Sequence, residues 1–226
     1  MLSSPDLALW IVGTLAAAFV CGLIVLRGRL RRYRMLACYF GASVLVEWMR
    51  LEVVRQFGIR SSRYAYIYYY SDGLLSLLFY FAVTEHLVRV CDSSTARICA
   101  RIGSFLLALC VGLFSLCVVI QSSAKLVTHF VVDYTDNLFC ATAGLGLLAF
   151  VVSLRNRGVS FHDRLLAFLL ASYPALMFWE YLLRNLYPGF HSIIYTGTLL
   201  WILLLLGVAY IFSDPAVGKD ERHIYL

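Results

Sequence analysis

Residues 64–87 read YAYIYYYSDGLLSLLFYFAVTEHL, an apolar run with tyrosines at one end, Asp72 inside it, and Glu85 and His86 at the other end. The run exceeds the roughly 20 residues that an α-helix needs to cross a bilayer. It therefore predicts a membrane-spanning helix. It also raises the question of why such a helix keeps an aspartate, because charged groups are costly at bilayer depth.

The rest of the chain has the same character. Of its 226 residues, 62% are hydrophobic and 14% are charged, whereas soluble domains are about half apolar and a quarter charged. Exposed backbone in lipid must be satisfied within its own segment, so the fold is predicted to be an all-α integral membrane bundle. One seven-helix domain is expected over 1–226, with spans at about 7–27, 35–57, 64–88, 99–121, 125–153, 163–186 and 190–212.

Basic residues indicate the orientation. Of the 19 lysines and arginines, thirteen fall on one side of the predicted spans: Arg27, Arg29, Arg31, Arg32, Arg34, Arg89, Arg97, Arg101, Arg155, Arg157, Arg164, Lys219 and Arg222. Cytoplasmic loops carry the excess of basic residues, so the N-terminus is predicted outside and the C-terminus inside. The net charge of +6 is then a topology signal, and no nucleic-acid partner is expected.

Ionisable residues inside spans form the candidate site. At about 1.5 Å of rise per residue, five of them, drawn from four spans, fall at a similar depth in the outer half of the membrane. With the neighbouring polar side chains, the predicted layer comprises Arg50, Asp72, Asp133, Asp136, Glu180, Tyr68, Tyr69, Asn137 and Tyr181. Two interpretations stay open: a set of ion pairs that holds the bundle together, or a site for a ligand, a cation or a proton.

Other features receive simpler interpretations. The first tyrosines of the 64–87 run are typical of a headgroup belt, and Glu85 and His86 are predicted to form a solvated helix end. No catalytic group, metal or other cofactor is predicted. A weak echo at an offset of 128, seen in LRGR at 26–29 and LRNR at 154–157, leaves open a repeat of spans 1–3 as spans 5–7, with span 4 as the link.

Well-known seven-span classes fit poorly. Span 7 has no lysine for a retinal Schiff base, and the Pro-Gln signature of sugar transporters is absent. The segments RYAYIYYYSDGLLSLLFYFAVTEHLVRV (63–90) and RNLYPGFHSIIY (184–195) resemble those of a group of small bacterial seven-span proteins that look like stand-alone sensory modules. This resemblance implies the architecture and a bacterial inner membrane, and it implies no activity.

The leading functional hypothesis is therefore a receptor-like or sensory module in the cell membrane, and an intramembrane enzyme ranks last. Its expected partners are the lipid bilayer and a cytoplasmic or membrane protein that docks on the arginine-rich inner loops. The alternatives are a small-solute or cation transporter and a structural subunit of a membrane complex. A transporter needs a path open to both sides, whereas an assembly subunit needs a lipid-facing patch that mates with another protein and a closed polar layer with every carboxylate paired.

Overall fold

The computed structural model describes residues 4–121, 126–186 and 193–214, and this part of the chain forms seven α-helices. They are α1 (Ser4–Leu26), α2 (Arg34–Phe57), α3 (Ser62–Val90), α4 (Ser94–Gln121), α5 (Leu126–Arg155), α6 (Phe161–Leu186) and α7 (Ile193–Ser213). The all-helical prediction is confirmed. Each predicted run corresponds to one of these helices.

The largest difference in the bounds is at α4, which begins at Ser94 rather than near residue 99. The hydroxyl of Ser93 accepts the backbone N–H of Ala96 at 3.1 Å, so Ser93 acts as an N-cap. The polar first turn that follows is helical without being apolar. An estimate from hydrophobicity alone therefore begins the helix too late.

Helix α3 lies at the centre of the arrangement. It contacts α2, α4, α5 and α6, while α1 packs against α2 and α7 and closes the bundle. Helix α4 packs on α3 and α5, and its few buried residues are Ser104, Ser115 and Val119. It therefore lies on the outside of the bundle with a mostly unburied surface.

Aromatic rings fill the space between α2, α3, α6 and α7. The ring of Tyr39 lies 4.9 Å from that of Phe79 and 5.7 Å from that of Trp201, measured between centroids. Tyr173 lies 5.4 Å from Phe79 and 5.7 Å from Trp201. With Phe40, these rings form what we call the aromatic core. Edge-to-face and tilted contacts at such distances are favourable.

Helices α5 and α6 approach each other closely at Gly146. A Cβ atom added there would lie 2.6 Å from Cα and 2.9 Å from the backbone nitrogen of Ala171. Only glycine fits, because the neighbour is backbone and cannot rotate away. At Gly144, in the same helix, an added Cβ would meet nothing within 4 Å.

The segments 27–33, 91–93 and 156–160 come together at one end of the bundle, here called the arginine-rich end. The amide of Asn156 donates to the carbonyl of Val90 at 3.2 Å and also bonds to the carboxylate of Asp92. Arg32 reaches Asp163 at the start of α6. The predicted clustering of basic residues at one end is therefore present among the described residues, and Lys219 and Arg222 lie outside them.

Within the described residues, four helices contain stretches long and apolar enough to cross a membrane: Leu7–Leu26, Ser62–Val90, Ser94–Gln121 and His129–Arg155. Their surfaces are apolar where surfaces of soluble proteins are polar. In α4 the exposed residues include Phe105 (66%), Leu113 (55%) and Phe114 (60%), while Ser104 and Ser115 are buried. This inverted pattern gives the chain membrane-protein character.

Candidate functional site

Arg50 is the centre of a buried polar cluster between α2 and α3. Its side chain donates to the hydroxyl of Ser71 at 2.9 Å, to the carbonyl of Tyr68 at 3.0 Å and to the carboxylate of Glu47 at 3.1 Å. Nη2 also lies 3.5 Å from Oδ1 of Asp72, and the guanidinium sits 4.4 Å from the centroid of the Tyr68 ring. Arg50 is only 5% exposed.

This cluster explains why a mostly apolar helix keeps Asp72. Glu47 and Arg50 lie three residues apart and so meet on one face of α2. The facing turn of α3 presents Tyr68, Ser71 and Asp72. The planar guanidinium has five N–H donors, and its acceptors come from both helices. Asp72 is thus one of two carboxylates that compensate a buried cation.

Two tyrosines near Asp72 connect this cluster to the aromatic core. The hydroxyl groups of Tyr39 and Tyr173 hydrogen-bond with each other. The carboxylate of Asp72 interacts electrostatically with both hydroxyl groups. Tyr173 also interacts electrostatically with Glu180. Asp72 and Glu180 therefore both lie near one buried pair of hydroxyl groups. The polar region therefore extends from α2 and α3 to α6.

Glu180 is 6% exposed and lies against α7. A Cβ atom at Gly197 would come within 2.5 Å of its Oε2 atom. Glycine at position 197 therefore leaves the space that this carboxylate occupies. Such a close fit places Glu180 at the α6–α7 contact.

Asp133, Asp136 and Asn137 lie together on a different side of the bundle. They line a groove of about 330 Å³ whose other walls are formed by α4 and α6: Phe114, Val118, Phe178 and Leu182. The amide of Asn137 donates to the hydroxyl of Ser115 at 3.0 Å and so joins α5 to α4. Two carboxylates here face aromatic and aliphatic side chains.

The predicted layer is thus distributed over three places. Arg50, Asp72 and Tyr68 are brought together, Asp133, Asp136 and Asn137 share the groove, and Glu180 contacts α7. Tyr69 is 40% exposed, with its ring 5.7 Å from that of Tyr68. The side chain of Tyr181 lies outside the described residues.

A second polar cluster, at the arginine-rich end, was not predicted as a site. The carboxylate of Asp163 is 2.8 Å from Nη2 of Arg32 and accepts from the hydroxyl groups of Tyr33 and Ser160, each at 2.9 Å. The backbone N–H of Asp163 donates to Ser160 Oγ at 3.2 Å. Ser160 is therefore the N-cap of α6, and the Ser-x-x-Asp spacing was the available signal.

His86 corrects the prediction of a solvated end for α3. It is 2% exposed, and its Nε2 lies 3.1 Å from the carbonyl oxygen of Asp163. Glu85 accepts the backbone N–H of Met35 at 3.0 Å and lies 3.8 Å from Arg34. The start of α2 and the start of α6 cover this end of α3, which a reading of α3 alone does not reveal.

Tyr33 organises the arginines around this cluster. The guanidinium of Arg89 lies 4.1 Å from the centroid of its ring, and the ring packs edge-on to Phe212 at 4.9 Å. Burial and the adjacent Asp163 raise the pKa of Tyr33 to about 12. The phenol therefore stays protonated at neutral pH and donates its hydrogen bond to Asp163.

Among the described residues, no group of three or more His, Cys, Asp or Glu side chains is placed to hold a metal ion. Comparison of the chain with protein-family models, with curated proteins and with solved structures gives no match.

Proposed function

We propose that this chain is a multi-pass membrane protein with seven spans that acts as a receptor-like, sensory module in a bacterial inner membrane. A small cationic ligand binds at Asp133 and Asp136 from the outer half of the bilayer. The resulting helix movement passes to a partner protein at the arginine-rich end, which faces the cytoplasm.

The observation that supports membrane embedding is the surface of α4. Leu109 in the middle of this helix is 51% exposed, and Phe105 and Phe114 are more exposed still. Each apolar square ångström removed from water is worth about 25 cal/mol, so such a surface is unfavourable in water and favourable in lipid. Arg50 of α2 and Glu180 of α6 are buried, so these two charges are compatible with membrane spans.

The groove between α4, α5 and α6 supports a ligand site. Its volume of about 330 Å³ lies at the lower end of the range for small-molecule pockets. Asp133 and Asp136 supply negative charge, and the rings of Phe114 and Phe178 supply faces that attract cations. An amine with an apolar body fits this combination better than an anion or a sugar.

The packing of the bundle favours sensing over transport. Below Asp72, the aromatic core occupies the space between α2, α3, α6 and α7, and Tyr39 is only 5% exposed. At the arginine-rich end, Asp163 links α6 to the segment before α2. A transporter, the second candidate, has to open both barriers. Because Arg50 is paired, its cluster is best explained as a structural element. The third candidate, a structural subunit of a membrane complex, would also contain such a cluster.

A thermal-shift screen of the purified protein with small hydrophobic amines tests the ligand site. A binding amine is expected to raise the unfolding temperature of the wild type and to lose this effect in Asp133→Asn and Asp136→Asn. Glu52→Gln, which neutralises an exposed carboxylate on α2, is the matched control and keeps the shift.

The proposal of a groove ligand is abandoned if no amine shifts the wild type, or if Glu52→Gln abolishes the shift as completely as the groove variants. Transport is assayed separately, by uptake of the same amine into proteoliposomes. Uptake that exceeds that of empty liposomes favours the transporter instead.

A further inference from the structure

Three guanidinium groups surround Tyr33: Arg29, Arg32 and Arg89. Asp163 forms its ion pair with Arg32. Arg29 donates to a backbone carbonyl, that of Asp214, at 3.0 Å, and Arg89 stacks on a ring. Neither forms an ion pair with a described carboxylate.

Both of these arginines also have an unused donor. Nη1 of Arg29 and Nη1 of Arg89 are buried and make no hydrogen bond to any described residue. Arg29 as a whole is 9% exposed. A buried charged donor without an acceptor is costly, so groups of this kind indicate that an acceptor is supplied from outside the described residues.

Charge-based topology does not explain this arrangement. Residues that orient a membrane protein need only be basic and near a span, as is exposed Arg31 in the same segment. Arg29 instead lies over the ring of Phe212, and Arg89 lies over the ring of Tyr33. The Arg32 side chain, beside them, is 30% exposed, so it is accessible from the surroundings.

We propose that Arg29 and Arg89, together with Arg32, bind the phosphate group of an anionic ligand at the arginine-rich end. A phosphate offers several acceptor oxygens, and guanidinium groups bind such oxygens with paired, charge-assisted hydrogen bonds. The source is either a phospholipid headgroup or a free phosphate ion. Basic pockets between helices on the cytoplasmic side are suited to lipid headgroups. The lipid form rests on the membrane embedding proposed above, and the free-ion form does not.

The test measures the thermal unfolding of the purified protein in a neutral detergent. One arm adds phosphatidylglycerol, with phosphatidylcholine as the zwitterionic control. The other arm adds inorganic phosphate, with chloride at equal ionic strength as its control. Stabilisation by phosphatidylglycerol alone identifies a headgroup, stabilisation by inorganic phosphate identifies the free ion, and either result supports the site. No stabilisation in both arms overturns it.

Variants then locate the effect. Arg29→Gln and Arg89→Gln are each expected to weaken the apparent affinity about tenfold, the effect of losing one charge-assisted hydrogen bond. Arg31→Gln and Arg101→Gln remove the same charge from exposed positions nearby, and are expected to bind as the wild type does. Equal losses in all four variants overturn the site in favour of non-specific charge attraction.

Arg29→Lys is a control for loss of binding through misfolding, because this variant keeps the positive charge and loses only the planar guanidinium group. Intermediate binding in this variant supports the site, and binding equal to wild type contradicts a guanidinium-specific site. Reconstitution into liposomes separates the two proposals. Wild type that fails to insert counts against membrane embedding, whereas variants that insert and still bind phosphate normally count against this site.

Discussion

At the scale of single residues, Arg50 shows how one buried cation organises two helices. Its donors reach Ser71 and the Tyr68 carbonyl on α3 and Glu47 on its own helix. Removing one partner of a buried ion pair leaves the other charge uncompensated. Arg50→Gln is therefore expected to reduce the free energy of unfolding by about 3 kcal/mol, measured as chemical or thermal unfolding in detergent.

Arg55→Gln is the control for this prediction. Arg55 lies further along α2 and is exposed, so the same change in charge and size should alter stability by less than about 0.5 kcal/mol. An Arg50 variant that is no less stable than the Arg55 variant would show that the cluster does not stabilise the bundle.

The contacts of single side chains were the part of the structure that could not be predicted from the sequence. The depth of Asp133 and Glu180 in their helices followed from residue counting at 1.5 Å per residue. The rotation of each helix about its axis did not, and rotation decides whether a carboxylate meets Arg50, α7 or the groove. The prediction of a solvated His86 was wrong for a related reason, because the segments that cover this side chain are distant in sequence.

At the scale of elements, the contact of α5 with α6 depends on Gly146. Gly146→Ala forces a methyl group against the backbone of Ala171, and such overpacking costs about 1–3 kcal/mol. The variant is expected to unfold at a lower temperature than the wild type. Gly144→Ala adds the same methyl group to an open position of the same helix and is expected to be neutral or stabilising, because alanine favours helix.

A neutral Gly146→Ala variant together with a destabilised Gly144→Ala variant would contradict the close approach of α5 and α6 at Gly146. Neither glycine could be assigned this role from its sequence context, because both occur in the same run, AGLGLL. The distinction depends on which face of α5 meets α6.

The exposed face of α4 gives a prediction that separates lipid from water. Leu109→Arg places a charge on a half-exposed position near the middle of the helix. In water this change would be nearly neutral. At the centre of a membrane span it costs about 2.5–3.5 kcal/mol. We expect a clear loss of protein from the carbonate-washed membrane fraction.

Leu109→Phe is the apolar control and should remain in that fraction. Equal recovery of the Arg and Phe variants would contradict the position of α4 in the bilayer. The helix itself was predictable, because a long apolar run in lipid has to be helical. Its inward-facing serines show that the usual rule, polar outside and apolar inside, is reversed here.

At the scale of the whole molecule, the arginine-rich end predicts the orientation of the chain. In a variant without the seven native cysteines, Arg60→Cys and Arg31→Cys each create one exposed thiol at opposite ends of the bundle. A membrane-impermeant thiol reagent is expected to label the position-60 variant in intact cells. The position-31 variant should be labelled only after the cells are opened.

Because each variant loses one arginine, the comparison is matched in charge. Labelling in the reverse pattern would invert the topology, and labelling of both in intact cells would rule out a single orientation. The number of helices and their order were predictable from apolar runs and loop charges. The division of the polar residues into two clusters and a groove depended on three-dimensional packing.

Helix α3 has a mechanical consequence, since it carries members of both polar clusters. Asp72 and His86 are fourteen residues apart, about 21 Å along one continuous helix. Such a helix is stiff, so a shift or rotation at Asp72 is transmitted along its axis to His86. The Arg50 cluster and the Asp163 cluster are therefore joined by one continuous helix, and a shift of α3 as a unit along its axis would alter hydrogen bonds in both.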